Sequence, residues 1–205
     1  DGNEQEWDYN MDTRFTEEEL LAFAEKFGKD VFGGVDSWAS FTVQNQSMQY
    51  WVSNIRNFAY LPEDNSLREK ITGRYPENTN EICISSYSAE VLFNCKTYDM
   101  NTGKPLELTK PEDVLGKTIS INGSQFKVVG IIDSGTIPEK YDVLKESDGT
   151  DYQLIRGFQL ELEDGLHLVA FVTKDLMVQM AEESGMYNAM DEFSSHRMVV
   201  AAGLG

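Results

Sequence analysis

The chain has few of the residue types and motifs that most often carry chemistry. Its 205 residues include two cysteines and two histidines, and the motifs H-E-x-x-H, C-x-x-C and G-x-S-x-G are missing. A phosphate loop ending in G-K-S/T is missing too. A structural zinc site usually needs four cysteine or histidine ligands close together, which this spacing does not offer. We therefore expect no catalytic residues, no metal and no cofactor.

The two histidines have ordinary explanations. His167 lies inside the apolar run Leu166–Thr173, which favours a hydrogen-bonded histidine in the core or at a sheet edge. His196 follows Ser194 and Ser195, but a catalytic triad is a spatial arrangement, and neighbours in sequence do not make one. Both histidines are therefore interpreted as structural.

Basic residues and long apolar runs are also scarce. Lysine and arginine number 17 against 35 acidic residues, a net charge of −18, which opposes binding to nucleic acid or to anionic lipid. Such an excess commonly serves solubility, and the alternative is attraction of a cationic partner such as a peptide. No run reaches the roughly 18 apolar residues of a membrane helix, and the first residues lack the pattern of a signal peptide.

The cysteine pair leaves two alternatives open. Cys83 falls in an apolar segment, and Cys95 follows it after a predicted helix. A disulfide can form if that helix folds back onto its strand, and two free thiols are the other alternative.

The clearest structural signals lie between Ile71 and Asp133. Glu81–Ser85 is apolar on both faces, as a buried strand would be, and a short helix is predicted over Ser86–Phe93, capped by Ser86 or Ser88. Strands are predicted at Lys117–Asn122 and Gln125–Ile132, joined by an Asn-Gly turn whose residues accept positive φ. Short helical turns are predicted at Pro111–Leu115 and Glu139–Lys145, and a loop or hairpin at Lys96–Lys110.

The flanking residues show a coarser pattern. Together with the central segment they predict an α+β fold with a mixed or antiparallel sheet and a few packed helices, and a division into two lobes is one way to arrange them. A capping box at Thr16 and Glu19 begins an amphipathic helix that ends at Gly28. Helix is also predicted over Asp175–Glu183, capped by Thr173 or Asp175. Gly33 and Gly34 are interpreted as a break in the chain, and the remaining predicted strands are Trp38–Val43, Met48–Ile55, Tyr152–Glu163, Leu166–Thr173 and Arg197–Ala202.

Three aromatic residues lie in the two early predicted strands. Trp38, Tyr50 and Trp51 are expected to lie close together. They form either the core of a first lobe or a face that contacts a ligand, since tyrosine and tryptophan recur at binding hot spots.

An ordered series of short motifs resembles one family. The series is G-R-x-P, then N-E-I-x-I-S, a short helix, L-G-K-x-I-x-I and F-x-V-V-G-I-I. It resembles the extracytoplasmic domain, the MacB-like periplasmic core, of ABC-transporter permeases of the MacB/FtsX type, and it covers about sixty residues. The matching residues whose role we expect to be structural are Gly73, Arg74, Pro76, Asn80, Glu81, Ile82, Ile84, Ser85, Leu115, Gly116, Val129 and Gly130.

The resemblance implies a non-enzymatic domain of a cell membrane protein, on the extracellular or periplasmic side. Residues 1–205 would be one domain looped out between two membrane helices, with residues 1–14 as a linker. Its partners would be a cognate ABC ATPase and its own transmembrane helices, with an external ligand such as a cationic peptide and a homodimer in the full transporter as further expectations. Nucleic acid is not an expected partner. The alternative is a stand-alone secreted or surface-anchored binding protein.

Overall fold

The computed structural model describes residues 32–45, 49–146, 151–184, 188–191 and 194–198. The strands are β1 (Phe32–Ser40), β2 (Asn54–Tyr60), β3 (Ile71–Gly73), β4 (Glu81–Ser85), β5 (Tyr98–Asp99), β6 (Lys104–Pro105), β7 (Thr118–Ile121), β8 (Ser124–Ile132), β9 (Val169–Phe171), β10 (Asn188–Asp191) and β11 (Ser194–Met198). The α-helices are α1 (Ser86–Cys95), α2 (Tyr152–Asp164) and α3 (Lys174–Ser184), and 3₁₀ helices span Ser66–Lys70, Pro111–Val114 and Glu139–Lys145.

Nine strands form one mixed sheet in the order β11-β10-β1-β2-β9-β4-β8-β3, with β7 pairing β8 beside that path. The pairs β2–β9 and β4–β8 are parallel, and the other pairs of the sheet are antiparallel. Strands β5 and β6 form a separate hairpin. The α+β prediction with a mixed sheet is confirmed, and one sheet joins the regions that two lobes would have separated.

The central predictions are confirmed with small changes of bounds. The predicted strand Glu81–Ser85 is β4, buried at every position, and the hairpin β7–β8 turns at Asn122 and Gly123, whose φ angles are 47° and 84°. The cap of α1 is Ser85 rather than either predicted serine. Ser85 has the extended backbone of an N-cap, and its side chain accepts a hydrogen bond from the Ser88 N–H.

The prediction of an extended segment over Tyr152–Glu163 is wrong, because these residues form α2. Asp151 caps the helix by accepting hydrogen bonds from the N–H groups of the residues two and three positions later. Phe158 and Leu162, four residues apart, are buried, whereas Leu160 between them is 39% exposed. Alternating apolar residues predicted a strand, but residues four positions apart, such as Phe158 and Leu162, also lie on one face of a helix. A short window therefore does not distinguish the two structures.

Other predicted bounds also need correction. The second early strand is β2, which begins six residues after the predicted start at Met48, and the Gly33-Gly34 pair lies inside β1 opposite Tyr60 and Ala59. The strand predicted over Leu166–Thr173 is the shorter β9, and Thr173 caps α3 by accepting from the Leu176 N–H. The predicted helix over residues 16–28 and the end of the strand predicted over 197–202 lie outside the described residues.

The apolar core divides into three clusters around the sheet. The first cluster contains residues of β1, β4 and β8 together with residues of α1 and α3. The second contains residues of β1, β2, β4 and β9 with Leu67 of a 3₁₀ helix. The third joins the opposite side of α1 to α2 and to the segment around Tyr50. In the part of the chain that is described, no helix has the length and apolar character needed to cross a membrane.

Candidate functional site

An ion pair between the exposed Arg74 and the buried Glu81 closes the loop between β3 and β4. Both terminal nitrogens of Arg74 donate to Glu81, Nη1 to Oε2 at 2.8 Å and Nη2 to Oε1 at 2.5 Å. The backbone N–H groups of Glu77 and Asn78 also donate to Oε2 of Glu81. The hydrogen bonds from Arg74 are the largest cause that lowers the pKa of Glu81 to about 2, against the opposing effect of burial. Two motif residues, Arg74 of G-R-x-P and Glu81 of N-E-I-x-I-S, therefore form one charged clamp.

Two motif glycines allow the backbones of β3 and β8 to approach closely. A Cβ added to Gly73, whose φ is +97°, would lie 2.5 Å from the Val129 carbonyl oxygen, and one added to Gly130 would overlap the Arg74 carbonyl oxygen. Residues Val128 and Gly130 pair with consecutive residues of β4, so Val129 is the extra residue of a β-bulge. The carbonyl of Val129 accepts the Arg74 N–H at 2.9 Å.

The remaining motif residues converge on the same junction. A Leu115 methyl carbon lies 3.3 Å from the position of a Cβ on Gly73. The Gly116 N–H donates to the Val128 carbonyl at 2.7 Å, and the Lys127 N–H donates to the Asn80 carbonyl at 2.8 Å. Pro76, Ile82 and Ile84 are buried. The structure thus brings the separate motifs together where β3, β4 and β8 meet, which we call the motif junction.

Tyr75, the variable position of G-R-x-P, has a role that the sequence reasoning missed. Its hydroxyl accepts from the Leu61 N–H and donates to the Val172 carbonyl, both at 2.8 Å. Leu61 follows β2 and Val172 follows β9, so Tyr75 ties the motif junction to both strands. The Arg68 guanidinium lies over the Tyr75 ring, 3.9 Å from its centroid. A tyrosine between an arginine and a proline was the available signal, but no local pattern indicates its partners.

A polar cavity of about 420 Å³ opens beside the motif junction. Tyr60, Tyr75, Pro76 and Thr173 line part of it. Its charged lining residues are Glu63, Arg68, Arg74, Glu77, Lys174 and Asp175. Three of these residues are basic and three are acidic.

A second polar cluster lies at the carboxyl ends of the parallel strands β4 and β8. The Ser134 hydroxyl lies 2.9 Å from the Ser86 hydroxyl and 3.1 Å from His167 Nδ1, and the Ser85 hydroxyl donates to the His167 carbonyl at 2.5 Å. Burial lowers the pKa of His167, while Asp133 acts in the opposite direction. The interpretation of His167 as a hydrogen-bonded core residue is confirmed.

The three predicted ligand-face aromatics do not share one face. Trp38 is 75% exposed at a bulge of β1, with the Arg56 guanidinium 3.7 Å from the centre of its ring. Tyr50 is buried and stacks on Phe158 of α2, with Trp51 packed edge-on against it. The ring of Tyr50 is therefore covered by α2, a helix that the sequence did not predict.

The cysteines are both free and both buried. Cys83 belongs to the second apolar cluster and Cys95 to the third, with α1 running between them. Of the two alternatives, the structure therefore has the free thiols, because the helix carries Cys95 away from the strand that holds Cys83. Across the described ranges, no group of three histidine, cysteine, aspartate or glutamate side chains is placed to hold a metal ion.

No family model and no curated protein matches the chain. Among solved structures, the chain is similar to the extracellular domain of the noncanonic ABC-type transporter YknZ from Gram-positive bacteria, at 17% sequence identity. The match covers 87% of this chain and 90% of that one, with a TM-score of 0.33, which does not establish a common fold.

Proposed function

We propose that this chain is the extracytoplasmic domain of an ABC-transporter permease of the MacB/FtsX type. The observation that carries the proposal is the motif junction. Motifs spread from Gly73 to Ile132 meet in one unit, held by the Arg74–Glu81 pair and by the close approach of Gly73 and Gly130. A series of short matches that arose by chance has no reason to assemble in this way.

The position of the first and last described strands also supports a domain held at both ends. Strands β1 and β11 lie on either side of β10, where Ala189 pairs with both Gly33 and Met198. Neighbouring strands are about 4.8 Å apart, so Gly33 and Met198 are separated by roughly 10 Å. Movement of two tethers would therefore reach the same edge of one sheet.

The sheet then offers a rigid path from that edge to the motif junction. Nucleotide-driven motion of the membrane helices, powered by a cognate ABC ATPase, would displace β1 and β11, and the hydrogen-bonded strands would carry the displacement to β8. The connecting segments Lys96–Lys110 and Ser134–Asp151 would meet an external ligand or partner. Coupling follows if that ligand prefers one conformation of the domain.

The ligand class follows only from charge. A net charge of −18 suits a cationic peptide. Long-range attraction is screened within about 8 Å at physiological salt, so contact residues would decide specificity. A homodimer of the full transporter would place two such domains side by side.

The test is the full-length permease with this domain replaced by a short flexible linker. We expect normal membrane insertion but loss of transport or resistance and of ligand-stimulated ATPase activity, with basal ATPase activity retained. Full transport and ligand stimulation after the replacement would contradict the coupling role. A gene without hydrophobic segments on either side of these residues would instead indicate a secreted or surface-anchored binding protein.

A further inference from the structure

The sheet curls far enough for the β7–β8 hairpin to return to the end of β1. In the strand order, β2, β9 and β4 separate β1 from this hairpin. Phe41, the residue after β1, nevertheless forms an antiparallel bridge with Ile121 of β7. The Ser40 N–H donates to Asn122 Oδ1 at 2.9 Å, and the Asn122 N–H donates to the Ser40 carbonyl at 3.1 Å. We call this contact between β1 and the hairpin the seam.

A cavity of about 350 Å³ opens beside the seam, and we call it the seam cavity. Its apolar lining comes from β1, β2, the hairpin and α3, namely Val35, Ala39, Phe58, Ile121, Phe126 and Met180. All of these side chains except Met180 are buried members of the first apolar cluster, and Met180 packs against that cluster. Ligand pockets of about 300–1,000 Å³ occur at the mouths of barrels, and the seam cavity lies at the lower end of that range.

The seam cavity also has an acidic side. Asp36 of β1 and Glu183 of α3 line it from two different elements. Glu183 is exposed, and its Oε1 accepts a hydrogen bond from Gln179 Nε2 at 3.1 Å, which leaves the negative charge in place. An apolar interior beside two carboxylates suits a ligand that carries an apolar group next to a positive charge. The net charge of −18 attracts such a ligand to the chain as a whole.

We propose that the seam cavity binds a cationic peptide. One apolar side chain of the peptide enters the cavity, and a neighbouring basic side chain faces Asp36 and Glu183. Met180 is unbranched and polarizable, so this wall can adjust to apolar side chains of different shape.

This site takes the proposed function as its premise and gives its ligand a specific contact. One wall, β1, pairs with β10 at the tethered edge of the sheet, and the hairpin on the other side includes β8 of the motif junction. A peptide that contacts both walls would favour one placement of the edge relative to the junction. Such a preference for one conformation is what coupling requires.

The test uses the purified 205-residue chain and a short, blocked, fluorescently labelled peptide of alternating leucine and lysine. Peptides with serine in place of leucine, or glutamate in place of lysine, separate the apolar contribution from the charge contribution. The blocking variant is Ser124→Trp, since the exposed Ser124 lines the cavity with Phe126, two residues along β8. The matched control is Gln125→Trp, because side chains alternate along a strand and the exposed Gln125 lies on the other face.

We expect fluorescence anisotropy at physiological salt to show at least about 10-fold weaker binding to Ser124→Trp than to the wild type, because the indole would occupy the cavity. Gln125→Trp should bind like the wild type. Glu183→Gln should bind roughly 2- to 3-fold more weakly, whereas Glu112→Gln, the same change at an exposed residue of a 3₁₀ helix, should have no effect. The serine and glutamate peptides should each bind at least about 10-fold more weakly than the leucine–lysine peptide.

Four results would overturn the proposal: no binding by the wild type, equal binding by Ser124→Trp and the wild type, equal losses in Ser124→Trp and Gln125→Trp, or equal binding of the serine or glutamate peptide. If circular dichroism shows that Ser124→Trp does not fold, Ser124→Arg replaces it, with Gln125→Arg as its control, and unchanged binding would again overturn the site. Failure of the purified chain to bind, together with loss of transport after replacement of the domain, would remove the site and leave the proposed function standing. Binding at the seam cavity with full transport after the replacement would do the reverse.

Discussion

The Glu81 carboxylate accepts four hydrogen bonds, two from Arg74 and two from backbone N–H groups. We expect Glu81→Gln to lower the free energy of unfolding by about 2 kcal/mol, since it removes charge-assisted bonds at a largely buried position. Urea denaturation measures the change. The matched control is Glu77→Gln, whose 73% exposed side chain lies 3.7 Å from Arg74 and should contribute less than about 0.5 kcal/mol. Equal effects of the two variants would contradict the clamp.

The same carboxylate predicts a loss of stability in acid. The pKa of Glu81 is about 2 in the folded chain, below the ordinary value of 4.5. The folded state therefore takes up this proton at a lower pH than the unfolded state does. The stabilisation is complete above pH 4.5 and is lost as the pH falls towards 2. The unfolding free energy of the wild type should therefore fall more steeply over this range than that of Glu81→Gln, and parallel curves would argue against the lowered pKa.

His167 makes the stability of the fold depend on pH in a higher range than Glu81 does. Burial lowers its pKa below the ordinary 6.5, so the unfolded chain takes up the proton first and stability falls as the pH drops below 6.5. We expect His167→Gln to reduce the slope of Tm against pH between about 6.5 and 5.5, whatever its effect on Tm at neutral pH. An unchanged slope would show that the ring protonates equally easily in both states.

At the scale of elements, the helical form of α2 predicts that substitutions at two nearby leucines have different effects on stability, whereas a strand predicts similar effects. In a strand, Leu160 and Leu162 would lie on the same face, whereas in the helix Leu162 is buried and Leu160 is 39% exposed. We expect Leu162→Ala to lower the unfolding free energy by about 3 kcal/mol and Leu160→Ala by less than about 1 kcal/mol. The two variants carry the same substitution two residues apart, and similar losses would support the extended form.

The contact between β3 and β8 leaves no room for a side chain at Gly130. We expect Gly130→Ala to cost at least about 2 kcal/mol, because the added methyl would overlap the Arg74 carbonyl and lie 2.9 Å from Ile71 Cγ2. Gly123→Ala in the open hairpin turn is the control. The φ angle of Gly123 is +84°, and a Cβ added there would meet no neighbour within 4 Å. The expected cost is therefore backbone strain alone, about 1 kcal/mol. A smaller loss for Gly130→Ala than for Gly123→Ala, measured by urea denaturation, would refute the close packing.

At the scale of the whole molecule, the net charge of −18 opposes the compact state through self-repulsion. Raising NaCl from about 20 mM to about 300 mM shortens the Debye length to less than 10 Å, so we expect Tm to rise by several degrees. Differential scanning calorimetry at constant pH measures the shift. A parallel series in sucrose of the same osmolarity measures how much an uncharged excluded solute raises Tm, and only the remaining rise in NaCl is due to charge screening. An unchanged or lower Tm would indicate that the acidic residues are spread too widely to repel one another.

The sequence by itself determined the elements whose conformation depends on neighbours along the chain. Strand β4 is a continuous apolar run, the β7–β8 turn contains two residues that accept positive φ, and Pro111 begins a 3₁₀ helix at the position where proline is favoured. The order of the motifs also indicated a structural unit between Gly73 and Ile132. In each case the conformation of the element depends on a few consecutive residues, so it can be predicted without knowing the tertiary contacts.

Only the tertiary structure decided the features that depend on partners distant in sequence. The segment over Tyr152–Asp164 carries both a strand pattern and a helix pattern, and packing of Phe158 against Tyr50 and Tyr141 accompanies the helix. Tyr75 finds its partners at Leu61 and Val172, the second of them 97 residues away. Local periodicity contains no information about which face a distant segment will cover, so these contacts exist only once the sheet has assembled.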